Sequence, residues 1–298
     1  MSEASAARTR GIIAFVVTSL VWGSTWLVIK GQLGSVPPAW SVTWRFALAC
    51  LGMFVLAALR RERLVLGRRG LALAAVVGFF QFFANFQLVY QAERFLTSGL
   101  VAVMFALLIV PNALFARLFI GASISRRFLA GSGIAIGGIA LLLLHEYRIA
   151  PASGSVLLGL VLVTGAILSA SVANVMQASE AARRESILVL LAWAMLAGSA
   201  ADAVYAWITT GPPVIDLSPP YLVGVAYLGL IGTVLTFPLY SLLLREWGPG
   251  RAAYNGVLIP VVAMALSTLF EGYHWTALAL GGALLVVTGL LVALGGRR

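Results

Sequence analysis

Ten long apolar stretches, separated by short connections, dominate this sequence. Each approaches the ~20 apolar residues that an α-helix needs to cross a bilayer. Only 10% of the 298 residues are charged, whereas a soluble domain carries about 25%. The sequence therefore predicts an all-α integral membrane protein with ten transmembrane helices and no separate soluble domain. The predicted spans lie near residues 11–30, 39–59, 71–91, 95–116, 128–145, 155–177, 187–208, 220–243, 252–270 and 276–295.

The Lys and Arg residues lie mostly on one side of this helix arrangement. Both termini and the connections on their side carry most of the 20 basic residues, whereas the other side has only Lys30, Arg94 and Arg148. Because basic residues collect in cytoplasmic connections, we expect both termini to be cytoplasmic. The same distribution explains the net charge of +10 without a nucleic-acid partner. The first apolar stretch is too long for a signal-peptide core, so we expect a retained helix.

The two halves of the chain repeat one another. "VPNALFARLFIGASISRRFLAGSG" and "IPVVAMALSTLFEGYHWTALALGG" share a proline, an "LF-x-G" segment and later glycines. Duplicated five-helix units must enter the membrane in opposite orientations, because five is an odd number. We therefore predict two inverted repeats, residues 1–149 and 150–298, an architecture with a substrate site near the midplane between them. Glycines 151 residues apart correspond: Gly121, Gly131 and Gly138 match Gly272, Gly282 and Gly289.

These motifs together resemble the drug/metabolite transporter superfamily, in its ten-helix EamA branch. The residues that carry the resemblance are "WGSTW" (22–26), Arg45, and the "P…LF-x-G" pattern that closes each half. The second copy keeps Glu271 before its glycine, whereas the first has Ile120. The resemblance implies export of small metabolites by alternating access without ATP, and the sequence looks most like bacterial aromatic amino-acid exporters. It also implies a bacterial inner-membrane location with lipid as surroundings, and one chain holds enough helices for a monomer to transport.

Other functions remain as alternatives. A carrier of drugs, nucleosides, purines or nucleotide sugars could share this fold. A membrane-embedded enzyme or sensor is disfavoured, because the sequence has no G-x-x-x-x-G-K-[ST], H-E-x-x-H or G-x-S-x-G motif. The single Cys50 and two His residues give no metal-binding spacing, and we expect no cofactor.

The "WGSTW" segment forms a polar notch inside the first predicted helix. Trp22, Ser24, Thr25 and Trp26 combine indole N–H groups, hydroxyls and flat apolar rings, which suit a polar substrate with an apolar part. We predict substrate contact for these four residues. The alternative is close helix packing through Gly23 and Ser24, and the sequence does not separate the two.

Polar residues deep within other spans are further candidates for substrate binding, because they are costly in lipid. Gln81 and Asn85 share a face of the third helix, and Thr164 and Asn174 share a face of the sixth with Ser171. We add Tyr254 at the start of the ninth helix. For each, the alternative is hydrogen bonding between helices.

Two prolines and one carboxylate complete the predictions. Pro111 and Pro260 each free a backbone carbonyl and bend a helix, so they are candidate hinges, with static kinks as the alternative. Asp202 is the only carboxylate deep in a predicted span. Proton-coupled exporters usually need such groups, and a single carboxylate near the outer end of its span is little support for coupling. We therefore predict weak or absent obligatory proton coupling.

Overall fold

The computed structural model describes residues 3–34, 36–121, 123–149, 155–240, 242–243 and 254–294. Within these ranges nine helices are long and apolar enough to span a membrane, and the tenth, α9, has 16 residues. The predicted span bounds agree to within a few residues, except that the first helix begins at Glu3 rather than near residue 11. The helices are α1 (Glu3–Gln32), α2 (Pro38–Leu59), α3 (Arg68–Ala92), α4 (Ser98–Phe119), α5 (Arg126–Ile149), α6 (Ser155–Gln177), α7 (Ile187–Thr210), α8 (Pro219–Tyr240), α9 (Asn255–Phe270) and α10 (Ala277–Leu294).

Short connections make successive helices run in opposite directions, so the bundle has two distinct ends. Among the described residues, the Lys30 end holds Lys30 and residues 33–34, 36–37, 93–97, 211–218 and 271–276. The terminal end holds the start of α1 and residues 60–67, 121, 123–125, 178–186, 242–243 and 254. Helix α1 begins at the terminal end and α6 at the Lys30 end, so the two five-helix repeats are inverted. The predicted boundary at 149/150 borders residues 150–154, outside the described part, and stays a prediction.

Helices α5 and α10 cross at a seam made of glycines. A Cβ atom built on Gly138 would lie 2.6 Å from the carbonyl oxygen of Gly282, and one on Gly282 would lie 2.8 Å from that of Gly138. Gly131 and Gly289 form the matching pair, at 2.5 and 2.6 Å. The repeat relates Gly131 to Gly282 and Gly138 to Gly289, so it converts each glycine pair into the other, as expected of an interface with two-fold symmetry. This small-residue contact lets the two backbones touch.

The "LF-x-G" pattern ends one helix in each repeat. Gly121 follows α4 with φ 72°, and Gly272 follows α9 with φ 67°. A residue with a side chain rarely adopts this left-handed backbone, whereas glycine does so without strain. The sequence repeat therefore corresponds to the same helix stop in both halves.

Helices α3 and α8 share an irregular turn at corresponding places. Gly78–Ala84 and Tyr227–Leu235 are π-helical, so backbone N–H groups bond to the carbonyl five residues earlier. The N–H of Asn85, for example, donates to the carbonyl of Phe80. In each π-helical turn, a glycine in the first half contacts a neighbouring helix.

Those two glycines make equivalent contacts in the two repeats. A Cβ on Gly78 would lie 2.4 Å from the carbonyl oxygen of Ala194 on α7. A Cβ on Gly229 would lie 3.0 Å from the carbonyl oxygen of Arg45 on α2. Helices α3 and α8 thus pack against the opposite repeat in the same manner.

The buried apolar residues form two main clusters. One is built chiefly from α2, α3 and α7, and the other from α4, α5, α6, α9 and α10. Trp26 of α1 and Phe105 of α4 pack against both clusters, so they lie at the boundary between them. Large apolar side chains such as Leu59 and Ile208 are about three-quarters exposed, at 75% and 76%, as expected of a surface that faces lipid.

Candidate functional site

Trp22 of the polar notch is engaged with α8. Its indole Nε1–H donates to the carbonyl oxygen of Gly232 at 3.1 Å. Its ring centroid lies 5.7 Å from that of Phe237 and 5.2 Å from that of Tyr240. The polar and apolar parts of Trp22 therefore both hold α1 against α8.

Ser24 and Thr25 also make contacts within the protein. The Ser24 hydroxyl lies 2.6 Å from the hydroxyl of Tyr227 on α8, and that of Thr25 donates to the carbonyl of Trp22 at 2.8 Å. A Cβ on Gly23 would lie 2.6 Å from the side chain of Val262 on α9. These contacts favour the helix-packing interpretation for Trp22, Ser24 and Thr25, and none of them supports substrate contact.

Trp26 differs from the rest of the notch. Its Nε1 atom is buried and has no hydrogen-bond partner among the described residues. Its ring packs on Phe105 with a centroid distance of 4.9 Å, at the boundary between the two apolar clusters. Since buried donors are nearly always paired, this N–H is available to a ligand.

Gln81 and Asn85 lie together on α3, as predicted. Asn85 is 2% exposed, and its Nδ2 donates to the backbone carbonyl of Gln81 at 3.2 Å. Gln81 Oε1 and Asn85 Oδ1 are both buried without a donor within the described part of the chain. Two such acceptors are unfavourable unless a ligand or water supplies donors.

The two candidates on α6 lie apart from each other. Asn174 Nδ2 donates to Asn112 Oδ1 on α4 at 3.4 Å, so it joins two helices. Thr164 is exposed and continues the stripe of Leu157 and Val161, which are 68% and 62% exposed. The structure therefore does not bring Thr164 and Asn174 together on one buried face of α6. Thr164 follows Leu157 by seven residues, about two helical turns, so it lies at the edge of the same lipid-facing stripe.

The start of α9 contacts α1 through Asn255. Its Nδ2 donates to Thr18 Oγ1 at 2.8 Å, and its Oδ1 accepts from Ser19 Oγ. Tyr254 is the residue before this helix, with a half-buried side chain and a backbone carbonyl that accepts from Val257. Asn255 therefore makes the polar contact in this region, and substrate contact by Tyr254 stays a prediction.

The two candidate hinges have different surroundings. A 3₁₀ turn, Ala106–Leu108, interrupts α4 just before Pro111. Pro260 is buried inside α9, which continues from Asn255 to Phe270 as one α-helix. Only the first proline coincides with a break in helix geometry, which is where a hinge is expected.

Hydrogen bonds link several elements at the Lys30 end of the bundle. Lys30 Nζ donates to the backbone carbonyls of Glu93 and, at 3.0 Å, Leu96. The hydroxyl of Ser98 donates to Glu271 Oε2 at 2.5 Å, and its backbone N–H donates to Oε1 of the same carboxylate at 3.3 Å. These contacts tie α1 and α9 to the connection between α3 and α4.

Two carboxyl groups are buried near this end. Asp202 Oδ1 on α7 accepts from Gln87 Nε2 at 2.7 Å. Glu93, just beyond α3, is 0% exposed, and neither carboxyl oxygen has a hydrogen-bond partner among the described residues. Burial raises the pKa of Glu93 well above its ordinary value; Lys30 lowers it, Glu271 raises it and Arg45 lowers it. Glu93 falls in a connection between predicted spans, so the sequence pattern points to Asp202 alone.

Arg45 is also buried, on α2. Its guanidinium lies 4.4 Å from the ring centroid of Phe86, and Nε and Nη1 have no hydrogen-bond partner in the described part of the chain. The described residues hold no group of three or more His, Cys, Asp or Glu side chains that could bind a metal. The buried ionisable groups Arg45, Glu93 and Asp202 thus lie toward the Lys30 end, and neutral polar groups surround the boundary of the apolar clusters.

Known proteins resemble this chain over nearly its whole length. A chain of known crystal structure superposes with a TM-score of 0.70 and 17% identity over 96% of both chains. The "Probable amino-acid metabolite efflux pump" of Escherichia coli is 25% identical, covering 98% of this chain and 96% of its own. PagO of Salmonella typhimurium is 25% identical, with coverage of 88% and 85%. The "Uncharacterized inner membrane transporter YedA" of E. coli is 28% identical, with coverage of 93% and 88%.

The family match reproduces the internal repeat. The EamA-like transporter family matches twice, at residues 9–144 and 157–295. These two segments cover most of each inverted unit, and together they include every helix that contributes to the candidate site. The chain is therefore a multi-pass membrane transporter, not an enzyme, and it belongs to the EamA-like transporter family.

Proposed function

We propose that this protein exports amino acids, aromatic ones among them, by alternating access without ATP. It does so as a monomer in the bacterial inner membrane, with both termini in the cytoplasm. Trp26, Gln81 and Asn85 bind the substrate between the two apolar clusters. Pro111 is the hinge through which α4 moves.

One observation carries this proposal. Among the buried polar groups without partners in the described interior are the indole N–H of Trp26 and the amide oxygens of Gln81 and Asn85. An amino acid has a carboxylate that accepts hydrogen bonds and an ammonium group that donates them, so it complements this set. The rings of Trp26 and Phe105 offer an apolar surface to its side chain.

The relatives support the same class of substrate. One that aligns over 98% of this chain has amino-acid metabolite efflux in its name. Phosphorylated substrates such as nucleotide sugars would need several cations in the site. Arg45, the one basic residue deep in a predicted span, stacks on Phe86 toward the Lys30 end.

Alternating access requires the closed end to open. In the present state Lys30 and Glu271 hold the Lys30 end shut. Export then proceeds by loading from the terminal end, closure there, and separation of α1 and α9 from the α3–α4 connection. The substrate leaves at the Lys30 end.

A counterflow assay tests the proposal. Purified protein in liposomes preloaded with unlabelled phenylalanine should accumulate labelled phenylalanine, and a panel of aromatic, aliphatic and charged amino acids should compete in that order. Thr164→Ala, on the lipid-facing stripe, is the matched control and should behave as the parent. Absence of saturable counterflow with every amino acid, from protein that remains monodisperse, would refute the proposal. Tags on each terminus that react from opposite sides of intact cells would refute the orientation.

A further inference from the structure

Glu93 lies where an ionised carboxylate is hard to accommodate. It is fully buried, and neither oxygen accepts a hydrogen bond from the described residues. The nearest cation, Lys30, directs its ammonium group at the backbone carbonyls of Glu93 and Leu96. A buried, unpaired carboxylate takes up a proton rather than remain charged.

The surrounding charges do not replace that proton. The titratable or charged groups that act on Glu93 or on its immediate neighbours are Lys30 on α1, Arg45 on α2, Tyr90 on α3 and Glu271 just after α9. Arg45 faces the Phe86 ring, and Glu271 accepts from Ser98. Within the described residues, neither Lys30 nor Arg45 forms an ion pair with Glu93.

We propose that Glu93 is a proton-binding site, and that its bound proton keeps the Lys30 end closed. When this end opens, water reaches the carboxyl group and the proton passes to water on that side. The ionised carboxylate then pairs with Lys30, whose ammonium group leaves the backbone carbonyls. This inference rests on the proposed function, because it describes how the exit of the transporter is controlled.

The direction of the pH effect follows from the two environments. In the closed state, Glu93 keeps its proton to a higher pH than it does in the open state, where a hydrated glutamate has a pKa near 4.3. The closed state is therefore favoured at low pH on the Lys30 side and loses that advantage as pH rises. One proton changes the balance by at most about tenfold per pH unit.

Thiol labelling tests the gate without any transported substrate. Ala92 is fully buried beside Glu93, so Ala92→Cys in a Cys50→Ala background reports opening of this end to a membrane-impermeant reagent. Leu217→Cys, at an exposed position of the same end, corrects for the pH dependence of thiol reactivity. We expect the corrected labelling rate to rise about tenfold between pH 5.5 and 8.5.

Variants identify the titrating group. Glu93→Gln mimics the protonated side chain and should keep Ala92→Cys poorly labelled at every pH, whereas Glu180→Gln, in an exposed pair with Arg184, should retain the parent profile. A corrected rate independent of pH would overturn the proposal, as would loss of the pH effect in Glu271→Gln but not in Glu93→Gln. If Glu93→Gln does not fold, the parent pH profile and Glu271→Gln still decide. Failure of amino-acid counterflow with an intact labelling profile would refute the proposed substrate and leave the gate standing.

Discussion

The two inverted repeats agree where they touch each other and differ where they close the ends of the bundle. The glycine seam of α5 and α10 and the π turns of α3 and α8 occur in both halves. Among the described residues, the contact between Ser98 and Glu271 has no counterpart in the other repeat. The repeat offset of 151 residues relates these two to Pro249 and Ile120, which cannot form the same hydrogen bonds.

This difference between the repeats bears on how easily each end of the bundle opens. Shared contacts across the two-fold axis hold the two halves together. A carboxylate contact at one end only makes the two ends unequal in the energy needed to open them. Breaking a shared contact should therefore affect folding, whereas breaking the Lys30-end contact should affect opening.

The largest effect is expected at the glycine seam. Gly138→Leu forces a side chain against the carbonyl of Gly282, since even a Cβ would lie 2.6 Å away, and overpacking of this kind typically costs about 1–3 kcal/mol or more. The measurement is the yield of monodisperse protein and its thermal unfolding midpoint. Gly137→Leu is the control, because a Cβ there has no neighbour within 4 Å. Equal loss in both variants would contradict a packed seam.

The next effect is expected at the Lys30 end. Glu271→Ala removes two hydrogen bonds from Ser98, and bonds to a charged group contribute about 1.5–3 kcal/mol. We expect about tenfold faster labelling of Ala92→Cys with little change in thermal midpoint. Glu180→Ala, in an exposed ion pair, should leave labelling unchanged. Slower labelling of Glu271→Ala would show that this contact does not close the end.

Substitutions of Trp22 and Trp26 should distinguish a role in helix packing from a role in substrate binding. Trp22→Phe loses the hydrogen bond to Gly232 and should lower stability by about 1 kcal/mol with unchanged affinity. Trp26→Phe leaves no protein acceptor unpaired, so stability should hold while phenylalanine affinity falls about fivefold. Thermal midpoints and half-saturating concentrations in counterflow measure both. The reverse pattern would remove Trp26 from the proposed site.

The smallest effect is expected at the prolines. Pro111→Ala supplies a backbone N–H near the 3₁₀ turn of α4 and should stiffen that turn, slowing counterflow about twofold to threefold at constant affinity. Pro260→Ala changes a helix that is already continuous and should transport as the parent does. Equal rates in the parent and Pro111→Ala would make the proline a static kink.

The sequence predicted the helices well because hydropathy acts over whole spans. It also predicted the inverted repeat, since glycines at contacts and helix ends leave a regular spacing. The π turns were not predicted. "GFFQFFA" and "YLGLIGTVL" have ordinary helical composition, and the extra residue per turn depends on the neighbouring helices.

The site was predicted less well, because a polar residue in a span has several ways to find a partner. Trp22 and Trp26 look alike in sequence, yet only Trp22 meets a carbonyl. Asn112 was overlooked beside Pro111, although its partner Asn174 was named. Nothing local distinguishes Glu93 from a solvated loop residue, since its burial comes from α1, α2 and α9 folding over it.

The π-helical turn in α3 also sets the direction in which the side chains of the rest of this helix point. Removing one residue from Gly78–Ala84 would restore ordinary helical geometry there, and each residue of an α-helix advances by about 100°. The segment from Asn85 to Ala92 would then turn by that angle against its neighbours. Its amides would rotate out of the interior while the span stayed equally hydrophobic, so the proposed binding site depends on the length of this helix to a single residue.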